Sequence, residues 1–352
     1  MTPARDTPLN PLLALLLCVG AGAAFGWLRL PLPWMIGPLV AMAACNFAGA
    51  QLRAPAGGRA AGQLIIGVAL GLYFTRAVAV EVLAQWPLLL AAGLLAVLLG
   101  VVGGWLLSRA GAVDPTTAFF ASVPGGATEM TLLGERFRAR ADRIALAQSL
   151  RILIVVIVVP FGLTYSGVHG TDAFAPVPVP FGWPGLAVLL AIATAAAAAL
   201  AVAGAPNAFM FGPLCAAMAL TVAGFELSSL PAGVTNGAQV LLGCALGARF
   251  ERRSLESAPR YVAAVLASVL AGIVIAALAA GAVAMVAGLP AATLVLAMAP
   301  GGIAEMCITA KVLQLGVPLV TAAHVARVLI LIAGTAPGYR AVCALRRRLR
   351  AS

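Results

Sequence analysis

Long apolar runs follow one another from residue 12 to residue 336, and the polar connections between them are short. The runs cover 12–28, 34–48, 64–74, 82–107, 144–163, 183–203, 208–223, 234–246, 262–287 and 319–336. A spanning helix takes roughly 20 apolar residues. Backbone in lipid must satisfy its own hydrogen bonds, which leaves helices or closed barrels. Only 9% of the residues are charged, against about 25% in soluble proteins, and 62% are hydrophobic. Nothing is left over for a soluble domain. The expectation is an all-α polytopic membrane protein. The first run carries a weak signal-peptide site at Ala21-Gly22-Ala23. It also has a counterpart at 183–203 that nothing would cleave, so it is read as a retained helix.

One phrase occurs twice. Pro124-Gly125-Gly126-Ala127-Thr128-Glu129-Met130 returns as Pro300-Gly301-Gly302-Ile303-Ala304-Glu305-Met306. Other pairs keep the same offset of 175 or 176 residues: Gly37-Pro38 with Gly212-Pro213, Gln63 with Gln239, Gly67 with Gly243, Gly71 with Gly247, Phe74 with Phe250, Gln148 with His324, Arg151 with Arg327. The chain reads as a tandem duplication, with a first membrane repeat over 1–168 and a second over 180–352. A periplasmic linker at 169–179 joins them and leads into the Pro-rich stretch 174–184.

Charge chooses between parallel and inverted repeats. If the two Pro-Gly-Gly segments (about 116–133 and 292–309) enter and leave on one side, each half has five crossings plus a re-entrant or broken hairpin. Five is odd, so the second half is inverted. With both termini in the cytoplasm, 17 of the 22 basic residues lie inside, including Arg136, Arg138, Arg140, Arg143 and the 346–350 tail. Arg29, Arg76 and Lys311 lie outside, and Arg151 and Arg327 lie within the membrane. That is a positive-inside distribution, as expected of a multi-pass membrane protein with cytoplasmic termini. Inverted repeats with interrupted helices are a common build of secondary transporters.

The chemistry concentrates at the repeated phrase. Pro lacks an N–H and Gly tolerates unusual backbone angles, so Pro124-Gly125-Gly126 and Pro300-Gly301-Gly302 break their helices and free polar backbone groups. The half-helices that follow present N–H groups and a partial positive charge suited to an anion. Thr128, Glu129 and Glu305 lie in their first turns. Arg151 and Arg327 stand in the next crossing, each three residues after a polar partner, Gln148 or His324, on the same helix face. Four unpaired charges at helix centres would cost on the order of 10 kcal/mol, so Glu–Arg pairing is expected whatever the function. The candidate substrate-binding set is therefore Pro124, Gly125, Gly126, Thr128, Glu129, Gln148, Arg151, Pro300, Gly301, Gly302, Glu305, His324 and Arg327. The plain alternative is structural: tight turns, with Glu–Arg pairs fixing each hairpin to the next helix. Gln63, Gln239 and Asn236 read mainly as interhelical hydrogen-bonding groups.

The six cysteines show no CxxC and no Cys/His cluster, and they read as small core residues. There is no metal-ligand spacing, P-loop or GxSxG. The expectation is no enzyme activity and no cofactor beyond a coupling proton or sodium ion. Expected partners are membrane lipid and a small solute. Nucleic acid is not expected, since no DNA-reading element accompanies the basic tail, which suits anionic headgroups. Gly-rich helices are compatible with a homodimer, though no feature demands one.

The doubled Pro-Gly-Gly-x-x-Glu-Met, the Trp34-Met35-Ile36-Gly37-Pro38 segment with its counterpart Met210-Phe211-Gly212-Pro213, and the Arg151/Arg327 pair resemble the bacterial AbrB membrane-protein family. The resemblance covers essentially the whole chain and implies a duplicated membrane domain. It also brings two labels, ammonia monooxygenase and regulator of gene expression. The residues supply neither the ligands of a metal or flavin site nor a DNA-reading element. The family in turn resembles antiporters and anion symporters built from inverted five-helix repeats, although architecture alone does not fix function. The expected activity is secondary transport of a small solute, an organic anion, coupled to protons or sodium. The alternative is a membrane sensor that influences gene expression indirectly.

Overall fold

The computed structural model describes residues 9–110, 113–170, 179–250 and 258–351, without the side chains of Leu9 and of 341–351. Arg5, Arg252, Arg253, most of the expected linker and the side chains of the 346–350 tail therefore lie outside the described residues. The described residues form helices and no strand.

The helices are α1 (Leu9–Trp27), α2 (Pro33–Phe47), α3 (Gly58–Gly71), α4 (Arg76–Ala84), α5 (Trp86–Ala110), α6 (Pro115–Ser122), α7 (Ala127–Arg136), α8 (Ala141–Tyr165), α9 (Trp183–Val202), α10 (Ala208–Val222), α11 (Ala232–Gly247), α12 (Pro259–Ala287), α13 (Ala291–Met298), α14 (Ile303–Leu313) and α15 (Val317–Ala351). Nine of the ten apolar runs fall on one helix each and the run 82–107 falls on two, but only six of the described helices are long and apolar enough to cross a membrane: α1, α5, α8, α9, α12 and α15. The helices of the remaining runs, α2, α3, α10 and α11, have 15, 14, 15 and 16 residues. At 1.5 Å per residue they fall short of a hydrocarbon core of about 30 Å. A seventh span exists only if α3 and α4, bent by 90° at their junction, are taken together. The run 82–107 is also divided. Pro87 sits in the first turn of α5, where its missing N–H is tolerated, and the chain turns at Gln85 instead of continuing α4.

The chain forms two compact units, and each draws on both halves of the sequence. The first comprises Met1–Leu83, Val156–Ala258 and Cys307–Pro318. Within it α3 packs on α10 and α2 on α11, and the contacts are reciprocal. Gly67 of α3 faces Met210 O and Pro213 of α10, while Gly243 of α11 faces Met35 O and Pro38 of α2. A β-carbon at Gly67 would lie 2.7 Å from that carbonyl oxygen, so only glycine permits this approach. Ala14 and Cys18 of α1 join Met42, Val240 and Cys244 in an apolar core. Cys307 is buried as well, whereas Cys215 is exposed on α10, in a position that suits lipid better than the core position expected from sequence. Gln63 Nε2 donates to Asn207 Oδ1 at 2.9 Å, the interhelical role anticipated for it.

The second unit comprises Ala84–Val155, Pro259–Met306 and Leu319–Ser352. Here α5 packs on α6 and α12, and α12 on α13. Phe119, Phe120, Phe137 and Tyr339 form one aromatic cluster. Asp114 caps α6 by accepting from the Thr117 amide at 2.9 Å and its hydroxyl at 2.6 Å. The Thr117 hydroxyl oxygen in turn accepts from the Arg140 amide at 2.9 Å, which ties the start of α6 to the loop before α8. Both Pro-Gly-Gly breaks belong to this unit.

Candidate functional site

The breaks fall where sequence places them. α6 ends at Ser122, Val123 turns to an extended conformation (φ −59°, ψ 124°), and Gly126 precedes α7. In the same way α13 ends at Met298, Ala299 is extended (φ −57°, ψ 141°), and α14 begins at Ile303. Each break leaves carbonyls without helical partners.

Those carbonyls are held by the helix that follows. Arg151 donates from Nη1 to Val123 O at 2.9 Å and from Nη2 to Gly125 O at 3.1 Å. Arg327 donates from Nη1 to Ala299 O at 2.7 Å and from Nη2 to Gly301 O at 2.5 Å. Gln148 Nε2 donates to Phe120 O at 2.9 Å and to Val123 O at 3.0 Å. His324 takes the matching position, with Nε2 2.9 Å from Leu296 O. A carbonyl only accepts, so this nitrogen carries a proton. The pattern of contacts thus recurs at the offset of 176 residues. A flat guanidinium fork suits two neighbouring acceptors better than an ammonium would.

Glu129 is placed differently from the sequence expectation: among the described residues it makes no ion pair with Arg151. A side chain at Gly126 would run into the Glu129 carboxylate, and one at Gly302 into that of Glu305. Each glutamate folds back over the glycine that starts its own half-helix, as the glutamate of a capping box does. Arg151 therefore spends its terminal nitrogens on backbone carbonyls, and its electrostatic neighbours are Arg327 and Glu305, which belong to the other hairpin. Sequence spacing suggested Glu129 as the natural partner. The proximity of the two arginines is a tertiary feature that spacing does not carry.

The two hairpins differ in exposure. Gly126 and Thr128 are exposed and Glu129 is half-buried, whereas Pro300, Gly301 and Glu305 are buried and Gly302 is half-buried. Pro124 and Pro300 line one cavity of about 30 Å³ together with Arg151, Ser122 and Ser268. That is about the volume of one liquid water, so the cavity admits water or a small ion but not an organic anion in this conformation. Of the residues lining it, Ser122 Oγ and Arg151 Nε are buried without a hydrogen-bond partner in the protein, and Gln148 Oε1 and His324 Nδ1 are so elsewhere on the helices that clamp the breaks. Buried polar groups are nearly always satisfied, so the two at the cavity mark a place for a polar guest. Ser122 and Ser268 were not singled out by sequence. Ser122 directly precedes the first break and could have been found there; its counterpart is Met298, which removes the repeat signal. Ser268 sits inside a long apolar helix with no motif around it. Among the described residues no three His, Cys, Asp or Glu side chains come together as a metal site.

Residues 34–342 match the family described as "Transition state regulatory protein AbrB". The chain belongs to the AbrB family. Two relatives of this AbrB-family chain are known by name. The "Uncharacterized protein YhjN" of Bacillus subtilis (strain 168) is 26% identical over 299 residues, 80% of this chain and 77% of the relative. The "Putative regulator AbrB" of Escherichia coli (strain K12) is 26% identical over 332 residues, 92% of this chain and 93% of the relative. The matched region of the AbrB family includes both Pro-Gly-Gly breaks and both arginines.

Proposed function

We propose that this AbrB-family protein is a secondary transporter of a small solute, an organic anion, coupled to protons or sodium across a bacterial inner membrane. The observation that carries the reading is the polar cluster of the second unit. Buried Arg151 lies within electrostatic reach of Arg327 and of Glu305, beside two broken helices and a small cavity whose wall carries the unsatisfied Ser122 Oγ and Arg151 Nε. Charges buried at membrane depth are kept for function or for pairing. Here the arginine forks already satisfy the breaks, so the surplus polar atoms need another occupant.

In this reading the half-helix N-termini and the arginines hold the anion. Glu129 and Glu305 compete for the same positive ends. Protonation, or sodium at the carboxylate, would release a glutamate from its helix end and open that end to the substrate. The cavity must widen for this, which is the alternating-access step. The reading takes the chain as two inverted halves, 1–168 and 180–352, with both termini cytoplasmic. The reciprocal packing of α2 on α11 and α3 on α10, and the matching arginine clamps, support that arrangement. No cofactor, enzyme activity or nucleic acid enters this reading; membrane lipid surrounds the protein, and a homodimer is compatible with it.

The test is uptake of radiolabelled organic anions into proteoliposomes under imposed proton or sodium gradients. Glu129→Gln, Glu305→Gln, Arg151→Gln and Arg327→Gln run beside the wild type. Gradient-driven uptake abolished in folded variants supports the reading. Uptake that survives all four changes places the site elsewhere. The regulator name of the Escherichia coli relative favours a second reading, a membrane sensor. It predicts ligand binding without flux, and a response that depends on residues 135–143.

A further inference from the structure

The first unit holds a second, larger cavity, of about 350 Å³. This is within the range of small-molecule sites, about 300–1,000 Å³. It is remote in composition from the hairpin cluster: none of the candidate residues above lines it. Its wall carries one cation, Lys311, and one anion, Glu226. Among the described residues these two make no ion pair with each other.

Five residues of the wall carry hydroxyls, Tyr73, Thr75, Thr221, Ser228 and Ser229, and the bonds of the two threonines show which role each has left. Thr75 Oγ1 accepts from the Val78 amide at 3.3 Å, which leaves its O–H to be donated. Thr221 gives its O–H to Ala217 O at 2.9 Å, which leaves its lone pairs to accept. The cavity therefore offers donors from Lys311 and Thr75, and acceptors from Glu226 and Thr221. Leu72, Phe225 and Leu230 supply apolar surface between them. A simple carboxylate would satisfy only the donors, and a simple amine only the acceptors.

We propose that this cavity binds a zwitterionic α-amino acid with an apolar side chain. Its carboxylate meets Lys311 and Thr75, and its ammonium meets Glu226 and Thr221. The site is independent of the transport reading: it holds whether the hairpins carry an anion or not.

The test is calorimetric titration of the detergent-purified protein with L-leucine, L-valine and L-phenylalanine. N-acetyl-L-leucine, which lacks the ammonium, and L-leucine methyl ester, which lacks the carboxylate, serve as controls that need no mutation. The expected result is binding of at least one free amino acid, with each leucine derivative weaker than L-leucine by about tenfold or more. Lys311→Met and Glu226→Gln should each weaken amino-acid binding by a similar factor, while Glu129→Gln leaves it unchanged. The proposal is overturned if none of the three amino acids binds, if the derivatives bind as well as L-leucine, or if both cavity variants bind like the wild type. Because Glu129→Gln is scored for flux in one experiment and for binding in the other, failure of the transport reading and failure of this site are separable.

Discussion

The Glu129 carboxylate lies over the α-carbon of Gly126, in the space a β-carbon would need. The backbone there (φ −67°, ψ 137°) is open to any residue, so glycine is required for room and not for conformation. Gly126→Ala should therefore displace Glu129 from the helix end. In the transport reading its effect on uptake should copy that of Glu129→Gln. The double variant should be no worse than either single one, because the residues act as a unit. An additive loss in proteoliposome uptake would show that the two positions work independently.

Arg151 donates to Val123 O and Gly125 O; Val123 O keeps a second donor in Gln148, so removal of Arg151 orphans the part-buried Gly125 carbonyl. An orphaned group costs about 1–3 kcal/mol. Thermal unfolding in detergent should show Arg151→Gln destabilised, and Arg151→Lys only partly restored, since an ammonium cannot reproduce the fork. Equal stability of Arg151→Lys and wild type would mean that charge alone matters there.

Asp114 gives the protein an acid sensitivity outside the membrane-spanning segments. Burial raises its carboxyl, but the Thr117 hydroxyl and backbone amides outweigh this and hold it below the ordinary value. A folded-state value below the unfolded one, about 3.9, stabilises the fold at higher pH. That contribution is lost as the pH falls through the folded value. The unfolding temperature of the wild type should fall more than that of Asp114→Asn as the pH is lowered below about 4. Parallel curves for the two proteins would remove Asp114 from the account.

Gly67 permits close backbone approach between α3 and α10. Gly67→Val puts a branched side chain against the Met210 carbonyl, which cannot swing away as a side-chain tip could. Overpacking of this kind costs about 1–3 kcal/mol. Denaturant titration in detergent should place Gly67→Val well below wild type, and Gly243→Val likewise, through Met35 O. Little change in either variant would show that the helices can separate at no cost.

Much of this was legible from residues alone because the signals are local. Pro124 and Pro300 are each followed by two glycines and stand at helix breaks, whereas the isolated Pro38 and Pro213 lie inside helices, and Arg151 and Arg327 fall three residues after a polar partner by helix geometry. The short lengths of α2, α3, α10 and α11 were harder to read. Apolarity continues past their ends, at Leu52 or Phe225 for example, while left-handed residues such as Leu32 and Asn207 set where the backbone begins its helix. The choice Arg151 makes between Glu129 and the carbonyls of Val123 and Gly125 was also hidden. Both partners lie at suitable sequence distance, and only the fold of the break decides which is nearer. Cys215 shows the same limit: an apolar helix in lipid has no polar face to reveal which side looks outward.

The arginine clamps have a mechanical consequence. Each joins a break to the long helix that follows it in sequence, so the break itself is tied down at two carbonyls. In the transport reading, widening the cavity then falls to the gap between the two breaks, and the separation of Pro124 from Pro300 is the coordinate along which the site opens. Spin labels placed on the two half-helices would read that coordinate as a distance, with each hairpin keeping its shape while the gap changes.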